Sequence, residues 1–178
     1  MATNEAQTTT VSYPYMPKVG RILYVDRGNP FMQAARAVAQ EQSLDSTMPT
    51  GSVIVLDGVV LGRGANGSTY HQNNPCERVR QNIPTGQGYE LCEGCHPKNH
   101  SEPTAIRDAL AAHPSQNLAG AELYLWGHWW CCEPCWTAMT DNGITTVYLL
   151  EDSQTLFNKD AADNVVGRQL EATAPEGE

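Results

Sequence analysis

Two short motifs, each at the predicted start of a helix, constrain the fold of this chain more than any other feature. His100 and Glu102 begin one predicted helix, and Cys132 and Cys135 begin the next one. Cysteines three residues apart on a first helical turn point the same way, and a helix N-terminus favours the thiolate over the thiol. The spacing therefore predicts a fold in which the two helix starts meet over one metal ion.

These four side chains are of the types that a hydrolytic zinc site needs. A zinc ion held by His100, Cys132 and Cys135 would have three protein ligands and one open coordination position. A water in that position would have its pKa lowered toward ~7. Glu102 lies two residues from the proposed histidine ligand, so it can move protons without binding the metal. A zinc hydrolase that acts on an amidine-like ring would need residues of these types.

The order of the predicted elements is typical of an α/β domain. Asn29 and Pro30 suit the N-cap and first position of a helix, and Asp57-Gly58 is a strong hairpin turn. Residues 21–25 fit either a short strand or an extended lead-in, and we favour the lead-in. The order predicts helices on both faces of a sheet. Helices are expected at 30–42, 100–112, 132–142 and 153–172, and strands at 52–56, 59–64, 121–126 and 144–150.

The length of 178 residues fits one domain with small appendages. We expect a flexible N-terminal arm at 1–20, a single domain at 21–172 and an acidic tail at 173–178. Within the domain, residues 68–99 form a polar insert that contains three cysteines. A segment of that length without its own apolar core is usually functional, held by a metal, or disordered.

Charge and hydropathy narrow the choice of partners and compartment. The formal net charge of −9 opposes a broad contact with a nucleic-acid backbone, so a small metabolite is favoured over long nucleic acid. No apolar run approaches the ~20 residues of a membrane span, and the polar N-terminus lacks the apolar segment of a secretory signal. We therefore expect a cytoplasmic protein. In a reducing compartment, paired Cys-x-x-Cys motifs favour metal ligands over disulfides.

The cysteines of the insert form a second candidate metal site. Cys76, Cys92 and Cys95 with one histidine would make a closed Cys₃His zinc site, which would hold a loop that has no core of its own. We prefer His71 over His96 as the fourth ligand, because His96 is adjacent to Cys95 and would have to bend back sharply. The alternative is a set of free thiols in a mobile loop.

At its two motifs, the chain resembles the zinc-dependent cytidine and deoxycytidylate deaminase superfamily. The signature of that superfamily is H-x-E followed by P-C-x-x-C, and here His100–Glu102 and Cys132–Cys135 match its two halves. The resemblance covers roughly residues 31–150 and is closest to the deoxycytidylate (dCMP) deaminase branch. In that branch a Gly-Tyr-Asn-Gly turn, represented here by residues 64–67, precedes a cysteine-bearing insert. Some members of the branch carry a structural zinc there.

The resemblance implies a fold and a reaction. The fold is a three-layer α/β/α arrangement with a mixed five-stranded sheet. The reaction is zinc-dependent hydrolytic deamination of a cytosine nucleotide, from dCMP to dUMP and ammonia. Glu102 would take the proton of the attacking water and deliver it to N3 of the ring and then to the leaving ammonia. The family commonly forms homo-oligomers.

Substrate contacts are expected from three positions. The resemblance implies that Asn66 holds the base or the sugar, and we add Ser101 and Trp130 as substrate-binding residues. Trp130 belongs to an aromatic loop, 126–130, which is either a stacking wall for a base or a core or subunit-interface cluster. A separate set of cations in or near the insert could bind a phosphate or a nucleotide regulator, the alternative being that they are solvated: Arg78, Arg80 and Lys98.

The chain also departs from the family pattern. The residue before the first ligand cysteine is usually proline, and here it is Cys131, so a register that uses Cys131 in place of Cys132 is an alternative. The Cys-x-x-Cys spacing favours Cys132. His113 and His128 are expected to be surface or packing residues. The rival functions are deamination of another nucleoside, base or modified nucleotide, and a non-catalytic zinc-stabilised module of the same fold, which Glu102 argues against.

Overall fold

A computed structural model describes residues 10–84 and 86–174 of the chain, so the predicted arm is covered only from residue 10 and the predicted tail only to residue 174. Within those residues, two 3₁₀ turns, Tyr89–Leu91 and Pro97–Asn99, precede the longest helix of the second half. The elements in chain order are β1 (Arg21–Val25), α1 (Pro30–Gln42), β2 (Gly51–Leu56), β3 (Val59–Ala65), α2 (Tyr70–Asn73), α3 (Glu77–Arg80), α4 (Ser101–Ala112), β4 (Glu122–Trp126), α5 (Glu133–Asp141), β5 (Thr146–Leu150), α6 (Ser153–Leu156) and α7 (Gln169–Ala172).

The five strands form one mixed sheet in the order β1-β5-β4-β2-β3. β2 is antiparallel to both β3 and β4, whereas β5 is parallel to both β4 and β1. The predicted hairpin turn joins β2 to β3, and its residues Asp57 and Gly58 have φ values of 51° and 77°. Two positive φ angles are what a type I′ turn requires, so a local signal set this pairing.

The sheet is covered by helices on both faces, which confirms the predicted three-layer α/β fold. Alternate residues of β2 point to opposite faces: Val53 and Val55 pack with α1, whereas Ile54 packs with α4 and α5. Asn29 caps α1, since its side-chain oxygen accepts from the N–H groups of Phe31 and Met32 at 3.0 Å. The apolar burial of these two layers supplies the main favourable term for folding.

Two sequence interpretations are wrong. Residues 21–25 are not a lead-in but an edge strand, β1, which pairs in parallel with β5 from Arg21 opposite Thr146 to Val25 opposite Leu150. Residues 153–172 are not one helix, because only the short α6 and α7 form and turns separate them. Gly167 in that segment has a φ of 93°, a conformation that a continuous right-handed helix excludes.

The described part of the N-terminal arm lies against the domain. Residues 10–20 contain no helix or strand, but Tyr13, Tyr15 and Met16 pack against the core on the α4 and α5 side of the sheet. The flexibility of the arm therefore stays a prediction that concerns mainly residues outside the described part. Among the described residues, no helix combines the length and the apolar character that crossing a membrane requires.

Candidate active site

The structure brings His100, Cys132 and Cys135 together at the starts of α4 and α5. Nδ1 of His100 lies 3.2 Å from Sγ of Cys135 and 3.5 Å from Sγ of Cys132, and the two sulfur atoms are 3.1 Å apart. Cys135 is buried, and the other two are partly buried. One imidazole nitrogen and two thiol sulfurs that converge in this way fit a tetrahedral zinc ion with one position left open.

Local structure places these donors at two helix N-termini. His100 and Cys132 are the N-cap residues of α4 and α5, and both have extended backbone angles. Pro134 lies in the first turn of α5, where the missing N–H of proline costs nothing. The proline that stands between the two cysteines is therefore compatible with a helix start. The structure places Cys132, and not Cys131, in the three-residue cluster.

The electrostatics of the cluster prepare one of its two cysteines as a thiolate. The hydrogen bond between the two thiols, together with the one between Cys132 and His100, lowers the pKa of Cys132 to about 5. The same interaction, together with burial, raises the pKa of Cys135 well above its usual value. A metal binds thiolates, so a zinc ion would displace the proton that the two sulfurs share.

Glu102 lies beside the cluster with its carboxylate held by neighbours. The side chain is 5 % exposed. The Ser101 hydroxyl donates to its Oε2 at 3.2 Å, and the Ser52 hydroxyl lies 2.7 Å from that of Ser101. Burial and the nearby charge of Glu102 raise the pKa of the Cys131 thiol well above its usual value. Cys131, in the place of the family's proline, is thus a neutral thiol near the predicted proton carrier.

A cavity of about 410 Å³ opens over this cluster. Glu102, His100 and Cys132 line it, as do all three predicted substrate-binding residues, Asn66, Ser101 and Trp130. Its volume is in the usual range for a small-molecule site. The cluster, the carboxylate and the cavity together can hold a small ring next to a proton carrier.

Two of the predicted substrate-binding residues already make side-chain hydrogen bonds within the protein. Asn66 accepts from the Ser43 hydroxyl at 2.6 Å and from the Thr50 N–H at 2.9 Å, and it donates to the Met48 carbonyl at 2.8 Å. Its amide therefore ties the loop after α1 to the end of β3. Ser101 is fully buried and is engaged with Glu102. These two residues shape the cavity through the groups that they hold.

The aromatic loop divides between core and cavity. Trp126 is buried at the end of β4, in edge contact with Phe157 at 5.3 Å. Trp130 instead lines the cavity, and its backbone N–H donates to Nδ1 of His128 at 3.3 Å. Burial lowers the pKa of His128 to about 4, so this imidazole is neutral at neutral pH. His128 also lines the cavity, a position that sequence reasoning missed.

The cysteines of the insert form a second cluster. Nε2 of His71 lies 3.1 Å from Sγ of Cys92 and 4.0 Å from Sγ of Cys95, and Sγ of Cys76 lies 3.6 Å from that of Cys95. Four donors of this type suit a closed structural zinc site. His96 is not among them, because its Nδ1 accepts the N–H of Lys98 at 3.1 Å and caps a 3₁₀ turn.

Cys92 already has the surroundings of a metal-bound sulfur. Burial by itself would raise its pKa, but the hydrogen bond from His71 and those from the backbone N–H groups of Cys95, Glu77 and Gly94 lower that pKa to about 6. Backbone donors that point at one sulfur stabilise its negative charge. The donor set and its electrostatics both fit a metal ion.

The three candidate cations of the insert are separated by the structure. Arg80 pairs with Glu77 at 2.9 Å, and Lys98 pairs with Glu93, all four side chains being more than a third exposed. Arg78 instead lines the cavity and lies over the ring of Tyr89, with 4.3 Å from its guanidinium carbon to the ring centre. Sequence reasoning could not choose among them, because their spacing carries no signal for the direction of each side chain.

Comparison with known proteins agrees with this site. The family model that describes the cytidine and deoxycytidylate deaminase zinc-binding region matches residues 26–151, more than half of the chain. No curated protein matches the chain significantly.

Several solved structures are similar in part. They include dCMP deaminase from the cyanophage S-TIM5, with 22 % identity over 69 % of this chain and 82 % of that one and a TM-score of 0.44. They also include guanine deaminase from Bacillus subtilis, with 20 % identity over 76 % and 80 % and a TM-score of 0.41. A structure from work on A-to-I editing by tRNA:A34 deaminases has 25 % identity over 67 % and 75 % and a TM-score of 0.41. The family model covers both motifs and four of the five strands, β2 to β5, and the chain belongs to the cytidine and deoxycytidylate deaminase zinc-binding family.

Proposed function

We propose that this protein is a zinc-dependent deaminase that converts a cytosine nucleotide, dCMP, to dUMP and ammonia. The observation that carries the proposal is the position of Glu102. It is buried beside the His100, Cys132 and Cys135 cluster and lines a cavity large enough for a mononucleotide. A purely structural metal site has no use for a carboxylate held in this way.

The reaction needs water to add to C4 of the ring and ammonia to leave. A zinc ion at His100, Cys132 and Cys135 would supply a Lewis acid that makes water acidic enough to react near neutral pH. Glu102 takes one proton from the attacking water and passes it to N3 of the ring. It then takes the proton of the hydroxyl now on C4 and gives it to the amino group, so that the C4–N bond breaks, ammonia leaves and C4 becomes the carbonyl carbon of the product. The hydroxyl of Ser101 holds the carboxylate in place for these transfers.

Two features favour a nucleotide over a nucleic acid or a free base. Arg78 brings a positive charge to the cavity, and guanidinium groups bind phosphate well. The net charge of −9 opposes a long polyanion. We propose Trp130 as the wall against which the cytosine ring lies, with Asn66 and Ser101 as the polar contacts nearest to the base and sugar.

We also propose a cytoplasmic, homo-oligomeric protein. None of the six cysteines is in a disulfide in the described residues, which suits a reducing compartment. At one edge of the sheet, β1 exposes the side chains of Leu23 and Tyr24, and Val19, two residues before β1, is exposed as well. An open strand edge can pair with a strand of another chain.

The substrate is tested with a panel of cytosine compounds. We expect the purified, zinc-loaded protein to release ammonia from dCMP at a kcat/KM at least tenfold above that for deoxycytidine, since the latter lacks the phosphate that Arg78 would bind. CMP, dCTP, cytosine and single-stranded DNA complete the panel, and ammonia is measured in a coupled assay. Selective release from another compound would redirect the substrate, and no release from any of them would sink the deaminase proposal.

Metal content is a separate test, in which we expect two equivalents of zinc per chain. Cys135→Ser should lose one equivalent, because it removes a buried ligand of the first cluster. Cys95→Ser should lose the other, because it opens the second. Elemental analysis after gel filtration in metal-free buffer measures both, with Ser68→Ala as the matched control outside either cluster. One equivalent in the unsubstituted chain would contradict the second zinc site.

A further inference from the structure

Arg78 is held in the cavity entirely by contacts within the insert. Its Nε donates to the carbonyl of Gln87 at 2.9 Å, its Nη2 donates to that of Pro84 at 3.0 Å, and its guanidinium stacks on Tyr89. Among the residues that line the cavity in the described chain, Arg78 is the only arginine or lysine. Two of its five N–H groups are used by these carbonyls, so donors remain for an anion.

Tyr89 connects this cation to the first metal cluster. Its ring meets the His100 ring edge to face, with centres 4.8 Å apart and planes at 89°. Its hydroxyl accepts the N–H of Gly86 at 3.0 Å. One side chain therefore contacts the cation, the insert backbone and a proposed ligand of the catalytic zinc.

The second metal cluster flanks both residues. Cys76 lies two positions before Arg78, and Cys92 lies three positions after Tyr89. The elements that carry the pair are a four-residue helix and a three-residue 3₁₀ turn, which are too short to be stable by themselves. Their position therefore depends on the cluster that ties Cys76 and Cys92 together.

We propose that the Cys₃His cluster of the insert contributes to substrate binding as well as to the stability of the fold. With metal bound, it fixes Arg78 where its free donors meet the phosphate of the substrate, and Tyr89 acts as the positioning residue between Arg78 and His100. This inference rests on the proposed function, since it assigns the phosphate of a mononucleotide to Arg78. It makes discrimination between nucleotide and nucleoside depend on a metal ion that takes no part in the chemistry.

The test measures binding without turnover. In a Glu102→Gln background, dCMP and deoxycytidine are titrated against tryptophan fluorescence, to which Trp130 in the cavity wall contributes. Arg78→Gln should lower the affinity for dCMP by about tenfold or more, which corresponds to the loss of a charge-assisted hydrogen bond. The affinity for deoxycytidine should be unchanged. Arg80→Gln is the matched control, because Arg80 is on the same short helix but pairs with Glu77 in solvent. Equal dCMP binding by both variants would overturn the inference.

The contribution of the metal cluster is read from a double-mutant comparison. Cys95→Ser should lose one zinc equivalent and lower the affinity for dCMP about as much as Arg78→Gln does. The variant with both changes should bind dCMP no more weakly than either single variant, because both act through one guanidinium. Loss of the zinc with full dCMP affinity would show that the cluster only stabilises the fold, and additive losses would also overturn the coupling.

A third comparison leaves every metal ligand intact, in case Cys95→Ser does not fold. Tyr89→Phe keeps the ring under Arg78 and should keep the affinity for dCMP within about twofold. Tyr89→Leu removes the ring and should lower the affinity for dCMP by about fivefold, with two zinc equivalents still bound. Equal affinities for the two variants would contradict the role of Tyr89. If the Glu102→Gln protein binds neither dCMP nor deoxycytidine, the proposed function itself fails. If it binds dCMP but the insert variants do not show the expected changes in dCMP affinity, only this inference fails.

Discussion

Replacing Glu102 with glutamine is expected to lower kcat by a factor of about 10³, within the range that a general acid–base group contributes. Glutamine keeps the size and the hydrogen bond from Ser101 but cannot take a proton from water. The zinc content should stay at the level of the unsubstituted protein, since Glu102 is not part of the metal cluster. Loss of ammonia release while the zinc content is unchanged would show that Glu102 acts in proton transfer and not in metal binding.

The matched control for this change is Glu151→Gln. Glu151 is exposed and lies outside the cavity and both clusters, so its neutralisation alters the net charge equally without touching the site. We expect this variant to keep kcat within about twofold of the unsubstituted value, as is usual for a surface substitution. If Glu102→Gln turned over as fast as the control, another group would have to carry the proton.

Gly64→Ala is expected to lower the free energy of unfolding by about 3 kcal/mol, the upper end of the usual cost of overpacking. A Cβ at Gly64 would stand 2.5 Å from the backbone oxygen of Ser101 and closer still to the backbone nitrogen of Ala105. Backbone atoms cannot turn aside, so α4 would have to move away from β3. Because α4 begins beside His100 and carries Glu102, we expect kcat to fall as well.

Urea denaturation of the zinc-loaded protein measures the loss, and Gly28→Ala is the matched control. Gly28 has an ordinary backbone conformation, and a Cβ there would meet only a side-chain oxygen of Asp26 at 3.2 Å. We expect that change to cost less than about 1 kcal/mol. A similarly small cost at Gly64 would mean that α4 can shift on β3 without strain, and the close docking of helix on strand would lose its significance for the site.

Most of the architecture could be predicted because its signals are local. The Asp57-Gly58 turn specifies the β2–β3 hairpin, and the Asn29 cap specifies the start of α1. The two errors concern features that local signals do not determine. β1 is a strand because β5, more than 120 residues later, offers it a parallel edge. The end of the chain keeps its apolar residues buried without a continuous helix, since Phe157 and Val165 are both in the core.

The residues of the candidate site also differ in whether local sequence signals identify them. His100, Glu102, Cys132 and Cys135 could be selected from sequence, because their spacing and their place at helix starts are properties of neighbouring residues. His71 could be preferred over His96 for the same reason. Arg78, Tyr89 and His128 could not be selected, because nothing in the local sequence shows that they border the same cavity as Glu102.

The sequence by itself determined the chemistry available to this protein: two helix starts that carry a histidine, a carboxylate and paired cysteines, and an insert that carries a second set of metal donors. The tertiary structure alone decided what surrounds that chemistry. It separated Trp126, in the core, from Trp130, in the cavity wall, and Arg78, in the cavity, from Arg80, in solvent. The physical reason is that ligand spacing and capping depend on a few consecutive residues, whereas the direction of a side chain toward a shared cavity depends on how distant segments pack.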